Sequence, residues 1–156
     1  MEKNLYTLAQ NQLNKAIQLA DLDTSVNTIL QQPKNEIIIN FPVKLDSNEY
    51  KLFKGYRVQH NNILGPYKGG IRFSNHIYLD EIKSLSMWMT MKNALQKLPY
   101  GGAKGGIKFE PRDYSENELE RISRTYCKYM FKYIGENTDI PAPDMGTNSK
   151  IMDWMT

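Results

Sequence analysis

Cysteine is almost missing from this chain. Cys127 stands alone, which excludes a disulfide framework within the molecule and suits a reducing compartment. Its helical neighbours read it as a small packed or half-exposed side chain. Long apolar runs are missing too: a stretch such as Ile37–Ile39 falls far short of a membrane span. No arginine precedes Arg57, and Glu2 lies at the N-terminus. Neither an Arg-rich, acid-poor mitochondrial leader nor an apolar secretory signal is therefore legible, and the expected compartment is the cytoplasm. Histidine is scarce, and His60 and His76 stand apart with no cysteine cluster, so no zinc spacing exists and no metal is expected. Lys104 is followed by Gly105 rather than Ser or Thr, so no phosphate loop forms, and no glycines fall at the GxGxxG spacing of a dinucleotide fingerprint. Lys and Arg exceed Asp and Glu by only 20 to 17, too little to imply a nucleic-acid partner.

What is present is the composition of a globular domain: 156 residues, 40% hydrophobic and 24% charged. Leu5, Leu8, Leu13, Ile17 and Ala20 recur at helical spacing, and a short helix with Val26, Ile29 and Leu30 ends before Pro33. Glu36–Lys44 and Tyr50–His60 read as two strands joined by the turn Asp46–Glu49, hence an antiparallel pair. A Gly/Pro loop, Gly65–Gly70, leads to a short strand Ile71–Phe73. Leu79–Leu98 reads as a helix, Pro99–Gly106 as a glycine-rich turn, and Ile107–Phe109 as a strand. Ser115 and Glu118 form a capping box for a helix with Leu119, Ile122, Tyr126, Tyr129, Met130 and Tyr133 on one face. A Pro-rich loop, Asp139–Gly146, precedes a last helix beginning near Thr147, which is expected to expose Ile151, Met152, Trp154 and Met155. Helices alternating with strands, two of them antiparallel, predict an α/β fold with a mixed sheet flanked by helices. Residues 1–146 form the domain and 147–156 open a connecting helix.

Lysines carry the functional signal. At about 100° per residue, Lys92 falls between Leu85 and Trp88, with Met89 and Leu95 close by, while Lys83 lies opposite and faces solvent. An ammonium in an apolar stripe either snorkels to an edge or compensates an anion held against the helix. Lys68 and Lys104 each adjoin glycine pairs, where a missing Cβ lets backbone N–H groups approach a ligand, although either segment alone reads equally as a simple turn. Three such lysines point to a small anionic substrate, one with two carboxylates. Clustered ammoniums also depress one another's pKa, and Lys104, the most enclosed, is the candidate base. Asp144, held between prolines, suits a positioned acid/base. Its competing role, capping the last helix, can be filled by Thr147.

The segments GYRVQHNNILGPYKGGIRF (Gly55–Phe73), MTMKNALQKLPYGGAKGG (Met89–Gly106) and IPAPDMGT (Ile140–Thr147) resemble the dimerisation and substrate domain of the glutamate/leucine/phenylalanine/valine dehydrogenase family. The resemblance implies that Lys68 binds the substrate side-chain carboxylate, with Gly70 lining the same pocket. It implies that Lys92 holds the α-carboxylate beside Met89, that Lys104 activates water and that Asp144 relays protons. Lysine at position 68, where branches acting on apolar amino acids carry an apolar residue, implies L-glutamate and 2-oxoglutarate as the substrate pair. The family reaction is oxidative deamination with NAD or NADP as hydride acceptor, in a homo-oligomer that is a hexamer. Family members continue into a Rossmann domain, and this chain stops where the connecting helices begin. Truncated in this way, it is expected to be inactive alone. The alternative is a non-catalytic oligomerisation or interaction module, or a pseudoenzyme, that retains the family's assembly surfaces.

Overall fold

A computed structural model describes residues 4–156; Met1–Lys3, including the Glu2 used in the targeting argument, lie outside the described residues. The chain opens with helix α1, Leu5–Leu19, whose N-cap Asn4 accepts the Tyr6 N–H, and helix α2, Thr24–Leu30, capped by Asp23. Strands β1 (Asn35–Lys44), β2 (Tyr50–Asn61) and β3 (Tyr67–Phe73) follow, then helix α3 (Leu79–Leu95), β4 (Gly102–Ile107), helix α4 (Glu116–Met130), β5 (Asp139–Pro143) and helix α5 (Ser149–Asp153). The five strands form one sheet in the order β1-β2-β4-β3-β5. β2 is antiparallel to both neighbours, whereas β3 runs parallel to β4 and β5, so the sheet is mixed as the sequence predicts. Among the described residues no helix is long and apolar enough to cross a membrane.

Side chains alternate across a strand, so each face of the sheet builds its own layer. Phe41, Val43, Phe53, Ile71, Phe73 and Ile107 point to the α4 side and pack with Ile122, Tyr126 and Met130. On the other side Tyr56 and Val58 meet Ile77 and Ile82 of the segment entering α3. α1 lies outside α3 and buries Tyr6, Ala9, Leu13 and Ile17, spaced three or four apart, against Met87.

Three segments expected to be loops are strands. Tyr67–Gly70 belongs to β3, the glycine-rich stretch from Gly102 is β4 in the middle of the sheet, and Asp139–Pro143 is the edge strand β5. β4 ends at Ile107 instead of running on to Phe109. Glycine weakens a strand in isolation, but pairing on both sides and close packing of α3 override that preference. A methyl group at Gly102 would overlap the backbone of Thr90 in α3. β5 carries two prolines and occupies an edge, where a missing N–H is tolerated.

α3 differs most from its expected orientation. It ends at Leu95, and its buried residues are Ile82, Ser84, Ser86, Met87, Thr90 and Asn93. Lys92, expected at the centre of a buried apolar stripe, is exposed, and Leu95 is 79% exposed. Close approach to Gly102 brings Thr90 inward, and the buried hydroxyls of this face are satisfied locally: Ser84 donates to Asp80 O and Ser86 to Lys83 O. Lys83, expected in solvent, is enclosed; its Nζ lies 2.8 Å from Glu36 Oε1 and 4.4 Å from the Tyr6 ring centroid.

The chain end also departs from expectation. Asn148, not Thr147, caps α5 by accepting the Ile151 N–H. Ile151 and Met155 are buried in the α4 core, so the apolar side of this helix is covered. The capping box of α4 forms as predicted, but the helix stops at Met130, and Tyr129 and Tyr133 are exposed. Cys127 is half-buried, its thiol donating to Met155 O.

Candidate active site

α3 packs over β4 and β2 and barely touches β3, and the candidate residues lie along the open trough this leaves beside α3 on the same face of β3 and β5. Alternation along β3 puts Lys68, Gly70 and Arg72 on the α3 side of the sheet. Ile71 pairs with Gly105, so Gly70 lies level with Lys104 and Lys68 level with Gly102. α3 approaches Gly106 with Ile82 and Gly102 with Thr90, and so runs antiparallel to β4 and β3. Glu81 contacts Arg72, and at about 100° per residue Lys92 projects within roughly 20° of Glu81. Lys92 therefore overhangs the end of the trough that holds Lys68, while Met89 is half-buried one turn before it.

Lys104 and Asp144 meet. Lys104 Nζ lies 3.1 Å from Asp144 Oδ2, with side chains 7% and 22% exposed. Arg72 Nε donates to the same Oδ2 at 2.8 Å, and Arg72 Nη1 donates to Glu81 Oε1 at 2.7 Å. Asp144 follows the last residue of β5, and its backbone N–H donates to Thr147 Oγ1 at 2.7 Å, which fixes the turn. A methyl group at Gly70 would stand 2.8 Å from Asp144 Cβ, so glycine there is what lets the carboxylate reach Lys104.

The electrostatics follow from enclosure. Burial pushes the Lys104 amine below the ordinary lysine value, against the pull of Asp144 and with help from the positive charges of Arg72 and Arg57. Burial would push Asp144 up, but the Arg72 hydrogen bond and the Lys104 charge outweigh it and hold the carboxyl below its usual range. The pair joins an amine whose pKa is lowered by burial to a fixed carboxylate, an arrangement able to move protons at a bound group. Lys68 is half-buried, its Nζ 5.9 Å from the Tyr100 ring centroid, and makes no contact with Asp144.

Two groups escaped sequence reasoning. Arg72 was hidden because Gly65–Gly70 reads as a loop; read as a strand, KGGIRF puts Lys68, Gly70 and Arg72 on one face. The second is a sealed ion pair on the opposite face. Arg57 and Asp139 are both wholly buried and doubly bonded, Arg57 Nε donating to Asp139 Oδ2 at 2.8 Å, and Gln59 donates to the same oxygen at 2.9 Å. No spacing signal announces a pair that meets across two intervening strands.

A dinucleotide needs a strand, a glycine turn and a helix N-terminus in succession. Among the described residues the glycine-rich segment is itself a strand, and α3 begins at Leu79 after Tyr78, with no glycine and no side-chain cap. These residues therefore do not form a cradle for NAD or NADP.

Comparison with known proteins gives these features a class. Residues 33–156 match the family model for the Glu/Leu/Phe/Val dehydrogenase dimerisation domain. Glutamate dehydrogenase of Thermotoga maritima is 47% identical over 153 residues, covering 98% of this chain and 37% of that protein. NAD-specific glutamate dehydrogenase of Clostridioides difficile is 46% identical, covering 97% of this chain and 36% of that protein. The crystal structure of the Peptoniphilus asaccharolyticus glutamate dehydrogenase superposes with a TM-score of 0.96 at 44% identity, over 98% of this chain and 38% of that one. The hetero-hexameric enzyme of Thermus thermophilus, in a leucine-bound form, gives 0.95 at 35% identity, over 99% of this chain and 37% of that one. The fold is thus that of the dimerisation domain of the Glu/Leu/Phe/Val dehydrogenases. The chain belongs to the Glu/Leu/Phe/Val dehydrogenase family and spans a little over a third of the length of these relatives.

Proposed function

We propose that this domain binds L-glutamate and 2-oxoglutarate as the substrate side of an NAD- or NADP-linked glutamate dehydrogenase. The observation that carries the reading is the enclosed Lys104 amine in contact with Asp144, on the face that also presents Lys68 across Gly70. In this reading Lys68 takes the side-chain carboxylate at the Tyr100 end of the trough, and Lys92 takes the α-carboxylate from the rim of α3, next to Met89. Lys104, with its lowered pKa, withdraws a proton from the water that adds to the imino carbon, and Asp144 passes protons to and from the amino nitrogen. The Lys92 ammonium is hydrated when free and loses water only with the substrate, which lowers the cost of keeping a charge in the trough.

Oxidation at the α-carbon needs a hydride acceptor, the role of the nicotinamide group. This chain covers only 36–37% of these relatives, and the NAD specificity of those from C. difficile and Staphylococcus aureus supports NAD at the family level. The expected setting is a cytoplasmic homo-oligomer: the dimerisation-domain match supports self-assembly, and the Thermus thermophilus relative supports a hexamer, although that one is a hetero-hexamer. That same match favours a second reading, in which this chain serves as an assembly module; retention of the Lys104–Asp144 pair weighs against it.

The test joins this chain in frame to the remaining two-thirds of the C. difficile relative. The hybrid is expected to reduce NAD with L-glutamate, and Lys68→Leu is expected to abolish that and admit apolar amino acids. Unchanged glutamate kinetics in the Lys68→Leu hybrid would contradict the assignment.

A further inference from the structure

We propose that Arg72 is a positioning residue: by bridging Asp144 to Glu81 of α3, it fixes the Asp144 carboxylate on the Lys104 amine. The inference rests on Lys104 and Asp144 forming the working pair described above. Asp144 stands just past the end of β5, so its backbone is held by the turn through Thr147 but its side chain can still rotate. A single ammonium is a poor restraint, because its three donors point in any direction about a flexible stem. Arg72 adds what Lys104 lacks. Its guanidinium is planar and rigid, and two different edges are in use: Nε at 2.8 Å from Asp144 and Nη1 at 2.7 Å from Glu81. Because the far edge is anchored on α3, the near edge cannot follow Asp144 if the carboxylate turns away. Arg72 is half-buried on β3, two residues beyond the Gly70 that borders Lys104, so it reaches Asp144 without touching the end of the trough marked by Lys68 and Lys92.

A bland alternative is that Arg72 supplies only a positive charge. The charged groups around Lys104 are Asp144 from the loop after β5, Arg72 from β3, Arg57 from β2 through the other side of the sheet, and Glu81 of α3 through Arg72. Charge and position are separable, because Arg72→Lys keeps the charge and cannot span both acids.

The experiment follows the Lys104 titration in the 156-residue chain by its ε-carbon NMR signal, in the wild-type and Asp144→Asn backgrounds, each with and without Arg72→Lys. Asp144→Asn alone is expected to lower the Lys104 midpoint. Arg72→Lys is expected to lower it in the wild-type background by about half as much, and to leave it unmoved when Asp144 is already Asn, the mark of coupling through Asp144. Glu81→Gln, which frees the far edge of the guanidinium, is expected to shift it the same way by less. A Lys104 midpoint unmoved by Arg72→Lys in the wild-type background, or moved equally in both, overturns the positioning role. A midpoint unmoved by Asp144→Asn strikes instead at the Lys104–Asp144 pair itself and so at the functional reading.

Discussion

The sheet carries one ionic cluster on each face, and the two are opposites. On the α4 side Arg57, Asp139 and Gln59 are sealed, with every polar atom satisfied by protein. On the α3 side Lys104, Asp144, Arg72 and Glu81 are bonded to one another yet open at one edge, where Asp144 keeps 22% of its side-chain surface. A sealed pair can only specify structure: it locks β5 to β2 across two intervening strands. An open one can exchange a partner for a ligand. Enclosure, more than residue type, separates the two clusters.

That contrast sets the order of expected effects. Asp139→Ala strands the Arg57 guanidinium in the sheet and should cost about 3–5 kcal/mol in urea unfolding, the largest loss in the molecule. Gly70→Ala presses a methyl on Asp144 Cβ and should cost about 1–3 kcal/mol, together with most of the affinity for 2-oxoglutarate. A Gly70→Ala protein that binds as before would show that the trough is looser than its geometry implies.

The pH dependence sharpens the comparison further. Asp144 titrates below its ordinary value of 3.8 in the folded state, so its contribution is complete above that value and lost as the solution is acidified. Asp144→Asn should therefore be less stable than wild type near neutrality, with the gap closing in acid. Lys104 runs the other way. Its folded value lies below the ordinary 10.5, so between the two the unfolded chain binds more protons and stability rises with pH. Lys104→Met should remove that rise. The smallest effect is expected at Lys92→Ser, where unfolding should change by no more than about 0.5 kcal/mol because the side chain is exposed, while dicarboxylate binding weakens.

The elements with a regular pattern were legible in the sequence: the β1–β2 hairpin, α1 from its apolar spacing and α4 from its capping box. The glycine strand β4 was not, because its sheet pairing comes from neighbours distant in sequence and no local propensity encodes it. The same blindness turned the first half of β3 and all of β5 into loops, and so hid that Arg72 shares a face with Lys68 and Gly70. Lys92 illustrates a subtler failure. Its apolar neighbours imply burial only if the inward face of a helix must be apolar, and α3 instead buries Ser84, Ser86 and Thr90, the last against Gly102. Lys104 and Asp144 could be singled out because glycines and prolines mark where a backbone is constrained. Their contact needed the fold.

The most direct test of the account is to follow the ε-carbon signals of Lys68, Lys92 and Lys104 while L-glutamate is added to the chain, with L-leucine as the comparison. Glutamate is expected to shift all three signals with one common affinity, and leucine to leave Lys68 unmoved. Glutamate shifts absent from Lys68 and Lys104, or reproduced by leucine, would contradict it.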